Sequence, residues 1–119
     1  MERNLKGKND LKKFRVKLTE QEHQLLKLVS AMDSKYQYEV IATALDWARE
    51  NQELILPLTF SNDGTFRSLY LESSHAQFSD LEQTWSCKTN NALYTATILY
   101  LRIRTNNAQG QANIMVSSL

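Results

Sequence analysis

The segment FRVKL, residues 14–18, alternates basic and apolar side chains. Successive side chains of a β-strand point to opposite faces, so Arg15 and Lys17 would project from one side and three apolar residues from the other. An exposed row of hydrogen-bond donors without acceptors suits an anionic partner such as nucleic acid. The same charges could instead protect an edge strand against aggregation. Both interpretations predict one short strand with a single buried face.

The net charge of +1 hides an uneven distribution. Residues 1–17 contain seven basic and two acidic residues, a net charge of +5, and the remaining 102 residues contain seven basic and eleven acidic ones, a net of −4. Contact with an anion depends on the local field. We therefore expect any nucleic-acid contact to involve the N-terminal arm and the first strand. The alternative for the arm is a solvated tail without a partner.

Other chemistry has little support in the sequence. Two histidines, His23 and His75, and one cysteine, Cys87, supply too few ligands for a metal site. Cys87 has no base partner in the pattern, which favours an incidental thiol. No Gly-rich phosphate loop or hydrolase motif occurs. We expect no enzyme activity, no metal and no cofactor. No apolar run approaches the ~18–20 residues of a membrane span, so we expect no membrane partner.

Scarce breaker residues divide the chain. Pro57 and Gly64 bracket the middle, and the stretches on either side of them are free of both residue types for about 45 residues or more. The divisions that we predict are a flexible basic arm (1–12), a first unit (13–52), a connector (53–64), a second unit (65–104) and a polar tail (105–119). The connector contains Leu54, Ile55, Leu56 and Leu58, too apolar for a free linker. We expect it to pack across the helices or to cover a second interface.

Each unit is predicted to contain a strand and two helices. In the first, Thr19 and Glu22 form a capping-box pattern at the start of a helix over 19–32. A second helix follows over 36–52. The apolar stripe of the first helix is expected to be Leu25, Leu28, Val29 and Met32.

The second unit shows a similar order of patterns. The strand covers 66–71 and is followed by a helix over 73–85. The segment 91–104 is read as a helix, with a strand as the competing interpretation because it contains β-branched residues. Trp47 and Trp85 are expected at the core or its edge.

The two units align at a shift of 53 residues. Leu18 then matches Leu71, and Val40-Ile41 matches Leu93-Tyr94. Any two amphipathic helices align to some extent by period alone, but matched strands and breaks favour a repeat. A lone strand has unpaired backbone groups on both edges. We therefore predict antiparallel pairing of 14–18 with 67–71 in a mainly α fold that has a short two-stranded ribbon.

Three segments resemble the ribbon-helix-helix family of DNA-binding proteins. RVKL (15–18) looks like the end of the family's strand, YEVIATAL (38–45) like its second-helix signature, and NALYTATI (91–98) like a second copy of that helix. Two such units in one chain resemble the tandem TraY-like arrangement, a pseudo-dimer within one polypeptide. The resemblance covers about residues 13–104.

The resemblance implies sequence-specific binding of double-stranded DNA, with the β-ribbon in the major groove. It implies a transcriptional regulator, a repressor, located in the cytoplasm on a prokaryotic nucleoid or on phage or plasmid DNA. The implied base-reading residues are Lys13, Arg15, Lys17, Phe66, Ser68 and Tyr70. The implied phosphate contacts, at the starts of the second helices, are Lys35, Tyr36, Gln37, Lys88, Thr89 and Asn90. Phe66 could make only apolar contact, for instance with a thymine methyl.

Some residues depart from the family pattern. The family often has glycine before the second helix, where Ser34 and Cys87 stand here. The second strand has no outward basic residue, which predicts an asymmetric DNA site or a repeat that has lost its DNA contact. Other functions remain open: a plasmid or phage DNA-processing accessory protein of the same fold, or an antitoxin-like interaction module that binds through its tail. Self-association through the connector or the tail is also open.

Overall fold

The computed structural model describes residues 11–109, with side chains as far as residue 106. The described chain is mainly helical, with one two-stranded antiparallel sheet. The strands are β1 (Leu11–Leu18) and β2 (Thr65–Glu72). The α-helices are α1 (Glu20–Met32), α2 (Gln37–Glu50), α3 (Ser79–Trp85) and α4 (Thr89–Gln109). Short 3₁₀ turns occupy Gln52–Leu54 and Ser73–His75.

The predicted antiparallel pairing of the two strands is confirmed. The register runs from Leu11 opposite Glu72 to Leu18 opposite Thr65. Alternate side chains of both strands face the helices, and Val16 and Leu71 among them are fully buried, whereas Phe66 lies on the other face and is exposed. Period-two alternation thus places one face of the ribbon on the core and the other in solvent.

Helix α1 begins with the predicted capping box. The Glu22 amide donates to Thr19 Oγ1 at 3.1 Å, and the Thr19 amide donates to Glu22 Oε1 at 2.8 Å. The predicted apolar stripe is wrong in part: Leu26 and Val29 are buried, whereas Leu28 is 44% exposed. Met32, also assigned to the stripe, is 39% exposed. The buried residues of α1 are Glu22, Leu26 and Val29, at spacings of four and three. The buried stripe therefore begins with the carboxylate of Glu22, which lies on the core side of the helix.

The predicted single helix over 73–85 is wrong. The chain forms a 3₁₀ turn and then α3, which begins after Phe78, whose backbone is not helical (φ −141°, ψ 43°). Residue 72, at the start of the 3₁₀ turn, lacks the side-chain cap that Thr19 provides in the first half. The Phe78 ring is buried and lies 5.8 Å from the Phe14 ring. Packing of this ring beneath the ribbon accompanies the break.

Helix α4 settles the ambiguous segment 91–104 as helix. Residues 92–98 are buried without a gap, so no polar stripe marks a helical period in the sequence. The helix continues to Gln109, beyond the residue 105 boundary at which the polar tail was expected to begin. Leu11 and Lys12 belong to β1 although we assigned them to the arm. Residues 1–10 of the arm and 110–119 of the tail lie outside the described residues.

The turns before α2 and α4 share one backbone geometry. Ser34 (φ 54°) and Ser86 (φ 52°) are left-handed, and each donates its amide at 3.3 Å to the carbonyl three residues earlier. Lys35 and Cys87 then donate to the carbonyl five residues earlier, at 3.0 and 3.1 Å. These matched residues are 52 apart, not 53. The left-handed position in the second half is therefore Ser86 rather than Cys87.

The connector packs on the helices, as expected. The Leu58 amide donates to the Thr95 hydroxyl at 2.9 Å, and the Phe60 ring meets the Tyr94 ring edge-on at 4.9 Å. Side chains that pack against the core from this segment are Ile55, Leu58 and Phe60. Leu54 and Leu56 are instead more than 80% exposed. Trp85 is buried and Trp47 is half-buried, as predicted.

Candidate nucleic-acid interface

The six residues that the sequence suggested for base reading lie on one face of the ribbon. This follows from two facts: the residues alternate along each strand with residues of the core-facing side, and the strands pair in register. The cross-strand pairs on this face are Lys13 with Tyr70, Arg15 with Ser68, and Lys17 with Phe66. All are exposed except Lys17, which is half-buried. These six residues combine three cations, two hydroxyl groups and two aromatic rings, since Tyr70 contributes both a ring and a hydroxyl.

Two of the cations lie over the same ring. The Arg15 guanidinium carbon is 5.6 Å from the centroid of Phe66, and Lys17 Nζ is 6.0 Å from it. An aromatic face attracts cations through its quadrupole. Phe66 is nevertheless 53% exposed, and Tyr70 is 43% exposed. The ribbon therefore presents aromatic surface and positive charge together.

Arg67 was not assigned a role from the sequence. The face of the ribbon on which it lies follows from the alternation of side chains along the strand. It lies between Phe66 and Ser68 and so projects to the core side of the sheet, where it pairs with Glu20 (Nη2 to Oε1, 3.1 Å). This guanidinium is one reason that the pKa of His23 is lowered, although burial is the larger cause. The second strand thus contains a basic residue, but not on the outward face.

The start of α4 is connected to the ribbon. The Asn90 side-chain amide donates to the Arg15 carbonyl at 2.8 Å. Lys88 and Thr89 line a groove with Phe66, which joins this helix start to the outward ribbon surface. Thr89 donates its hydroxyl to Glu82. Lys88 is exposed, while Thr89 and Asn90 are half-buried. Of these three predicted phosphate contacts, Asn90 therefore also has a structural role.

The start of α2 lines a different groove, between α1 and α2. Lys35, Tyr36 and Gln37 border it, and Lys27 from α1 joins them. The Tyr36 amide donates to Glu39 Oε1 at 2.9 Å, so a carboxylate already satisfies one amide at this helix start. The Tyr36 and Tyr38 rings stack at 5.7 Å. Lys27 was not predicted as a site residue, because only the left-handed turn at Ser34 folds α2 back onto α1 and brings Lys27 to the same groove as Lys35.

Two other titratable side chains noted in the sequence, His75 and Cys87, lie outside the ribbon. His75, which lies in a 3₁₀ turn rather than in the first turn of an α-helix, contacts Asp46 at 3.2 Å. Burial, with a smaller effect of Glu82, raises the pKa of the Cys87 thiol and keeps it protonated. Within residues 11–106, no group of three or more His, Cys, Asp or Glu side chains could hold a metal ion. No helix in the described part of the chain is long and apolar enough to cross a membrane.

Comparisons with protein-family models, curated proteins and solved structures found no match to this chain.

Proposed function

We propose that this protein is a tandem ribbon-helix-helix DNA-binding protein whose β-ribbon enters the major groove. The observation that carries the proposal is the outward ribbon face, where Lys13, Arg15 and Lys17 lie together and exposed or half-exposed. A two-stranded ribbon fits the major groove of B-DNA, where each base pair presents a distinct set of donors and acceptors. Arginine and lysine donate to guanine O6 and N7.

The proposal includes a pseudo-dimer formed by the two halves of the chain. Under the 53-residue shift Arg15 corresponds to Ser68, its partner in the ribbon. An approximate twofold axis through this pair would then exchange Lys13 with Phe66 and Lys17 with Tyr70. The similar turns at Ser34 and Ser86, which match at a shift of 52 residues, also support two related halves. An intrachain pairing of this kind corresponds to the symmetric interface of a two-chain dimer.

The charge distribution also supports contact between the ribbon and DNA. The net charge of +5 on residues 1–17 belongs to the segment that contains β1, whereas the rest of the chain is acidic. Four basic residues and no acidic residue of this segment belong to β1 itself, so the ribbon attracts the phosphate backbone. We propose that the protein acts as a transcriptional regulator in the cytoplasm, and that the helix starts contact phosphate.

Binding to duplex DNA tests the function. A duplex is first enriched from a random-sequence pool by the wild-type chain, and its affinity is measured by fluorescence anisotropy at two salt concentrations. Arg15→Ala should weaken binding to this duplex by about 1–3 kcal/mol and relax the sequence preference. Lys12→Ala is the matched control, because Lys12 is an exposed cation of the same strand that does not belong to the outward set of alternate residues. It should affect selected and scrambled duplexes alike.

Absence of salt-dependent binding by the wild-type chain would rule out the proposed function. If Arg15→Ala weakens binding to selected and scrambled duplexes equally, as Lys12→Ala should, the protein binds DNA but does not read bases through the outward face.

A further inference from the structure

The outward face of the ribbon has two chemically different ends. At one end Lys17 lies opposite Phe66, and Arg15 occupies the next outward pair. At the other end Lys13 lies opposite Tyr70. Two cations, Arg15 and Lys17, both lie over the ring of Phe66. The positive charge of the ribbon is therefore coupled to one ring at one end.

A guanidinium held over a ring has a restricted orientation. Arg15 carries its donors in a planar fork, and contact with an aromatic face still allows hydrogen bonds at the edge of the fork. The bidentate geometry that selects guanine requires such a fork to be held in position. Phe66 is thus placed to act as a positioning residue for Arg15.

Phe66 also presents surface of its own. More than half of the residue is exposed, and the other five residues proposed for base reading are cations or carry a hydroxyl group. In the major groove the apolar feature of a base edge is the thymine methyl group. Tyr70, the other ring on this face, carries a hydroxyl and so can hydrogen-bond where Phe66 cannot. The two ends of the ribbon therefore match different base-pair features.

We infer that Arg15, Lys17 and Phe66 form one reading unit that fixes the direction of the ribbon on DNA. Arg15 donates to a guanine near the centre of the site, and Phe66 orients Arg15 while it contacts the methyl group of a neighbouring thymine. The inference rests on the proposed function and adds to it a DNA class: an asymmetric site with guanine and thymine next to each other on one side of its centre.

Uracil substitution isolates the methyl contact. The probe is the duplex enriched from a random pool by the wild-type chain, together with versions in which each thymine is replaced singly by deoxyuridine. One replacement should weaken wild-type binding, and Phe66→Ala should make binding insensitive to that replacement. Tyr70→Ala, the matched control, should keep the sensitivity. Phe66→Leu should retain it too, since leucine preserves apolar contact.

A double-variant comparison isolates the coupling of Arg15 to the ring. Arg15→Ala should weaken binding by about 5- to 150-fold. Loss of the cation–ring contact alone in Phe66→Leu should weaken it by roughly 2- to 5-fold. When Arg15 is already alanine, Phe66→Leu should cost less, because the guanidinium that the ring orients is absent.

The outcomes separate the inference from the proposed function. If the wild type binds DNA but no deoxyuridine duplex differs from the thymine duplex, the methyl contact is wrong. If the effects of Arg15→Ala and Phe66→Leu multiply independently, the positioning role is wrong. Either result leaves DNA binding intact, whereas a wild-type chain that binds no duplex overturns both. Far-ultraviolet circular dichroism of each variant checks that the fold is retained.

Discussion

Arg15 and Ser68 lie directly opposite each other in the antiparallel ribbon. They are 53 residues apart, the shift at which the two halves of the sequence align. A residue can face its own repeat equivalent only at the centre of a symmetric pairing, so the pair marks the centre of the proposed pseudo-dimer. The centre of the ribbon thus has one guanidinium and one hydroxyl where a dimer of identical chains would place two copies of one residue.

The lysines at the two helix starts give a prediction about salt. If Lys35 and Lys88 each neutralise one phosphate, Lys35→Ala and Lys88→Ala should each lower the slope of log K against log salt by about 0.9. The loss of affinity should be similar for selected and scrambled duplexes, because phosphate carries no sequence information. Anisotropy titrations over a range of salt concentrations measure both quantities.

Arg102→Ala is the control for the salt measurement. Arg102 is an exposed cation of α4. It lies fourteen residues after Lys88, which immediately precedes that helix, and so roughly 20 Å away along the helix axis. Its removal should leave the slope unchanged. Equal slopes for wild type, Lys35→Ala and Lys88→Ala would exclude the helix starts from the DNA contact.

The residues on the outward face of the ribbon could be predicted from the sequence. A period of two assigns each strand residue to a face, and the shift between the halves places Arg15 opposite Ser68 once the strands pair. The ring that lies under Arg15 was not predictable in this way, because the pattern fixes a face and not a rotamer. The contact of Asn90 with the Arg15 carbonyl joins residues 75 apart, and no local period encodes it.

The buried arc of α1 and the second left-handed turn were harder to predict. Leu25, Leu26, Leu28 and Val29 are all apolar, so the sequence allows two neighbouring stripes. The choice depends on Glu22, a charged residue that is buried because a tyrosine from α4 hydrogen-bonds to it. At Ser86 a shift of 52 replaces the shift of 53, since the second half reaches its turn through a 3₁₀ segment and a shorter helix.

The contact between Tyr94 and Glu22 gives a prediction about stability. The Tyr94 hydroxyl donates to Glu22 Oε2 at 2.6 Å, and both side chains are buried. Tyr94→Phe removes the donor and leaves a buried carboxylate oxygen without this partner, at a cost of about 1–3 kcal/mol in the free energy of unfolding. Urea denaturation at neutral pH measures the change. Tyr70→Phe, at an exposed position, should have little effect.

The same contact predicts loss of stability at alkaline pH. Burial, and then the hydrogen bond to Glu22, raise the pKa of Tyr94 above its ordinary value of 10.0. Above that pH the unfolded chain releases this proton while the folded chain retains it, so the free energy of unfolding falls by up to about 1.4 kcal/mol per pH unit.

Tyr94→Phe should reduce this alkaline loss without abolishing it, because the pKa of Cys87 is raised as well. Urea denaturation of both chains between pH about 9 and about 11 gives the comparison. An alkaline dependence as steep in Tyr94→Phe as in the wild type would contradict the assignment.

Gly64 is expected to be intolerant of a side chain. A Cβ at this position would lie 3.1 Å from the carbonyl carbon of Leu18 and 2.9 Å from Lys17 Cγ. The first neighbour is backbone and cannot rotate away, so Gly64→Ala must displace the entry to β2. We expect the free energy of unfolding to fall by about 1–3 kcal/mol, measured by thermal and urea denaturation.

The neighbouring Thr65→Ala is the control for Gly64→Ala, because Thr65 is exposed. Combining Gly64→Ala with Lys17→Ala distinguishes the two contacts. If the flexible lysine were the main obstacle, the double variant would recover the lost stability; we expect little recovery. Full stability of Gly64→Ala would show that the ribbon end adjusts freely.

The two left-handed serines give the opposite prediction, a gain in stability. A left-handed backbone costs an L-residue about 1–2 kcal/mol, and glycine avoids most of that cost but loses more entropy on folding. Ser34→Gly and Ser86→Gly should therefore each raise the free energy of unfolding by up to about 1 kcal/mol. Ser34→Ala and Ser86→Ala keep the Cβ and should give no gain, which makes them the matched controls. Urea denaturation of the four variants decides the matter: if glycine and alanine at either position are equally stable, backbone strain at that turn does not limit the stability of this fold.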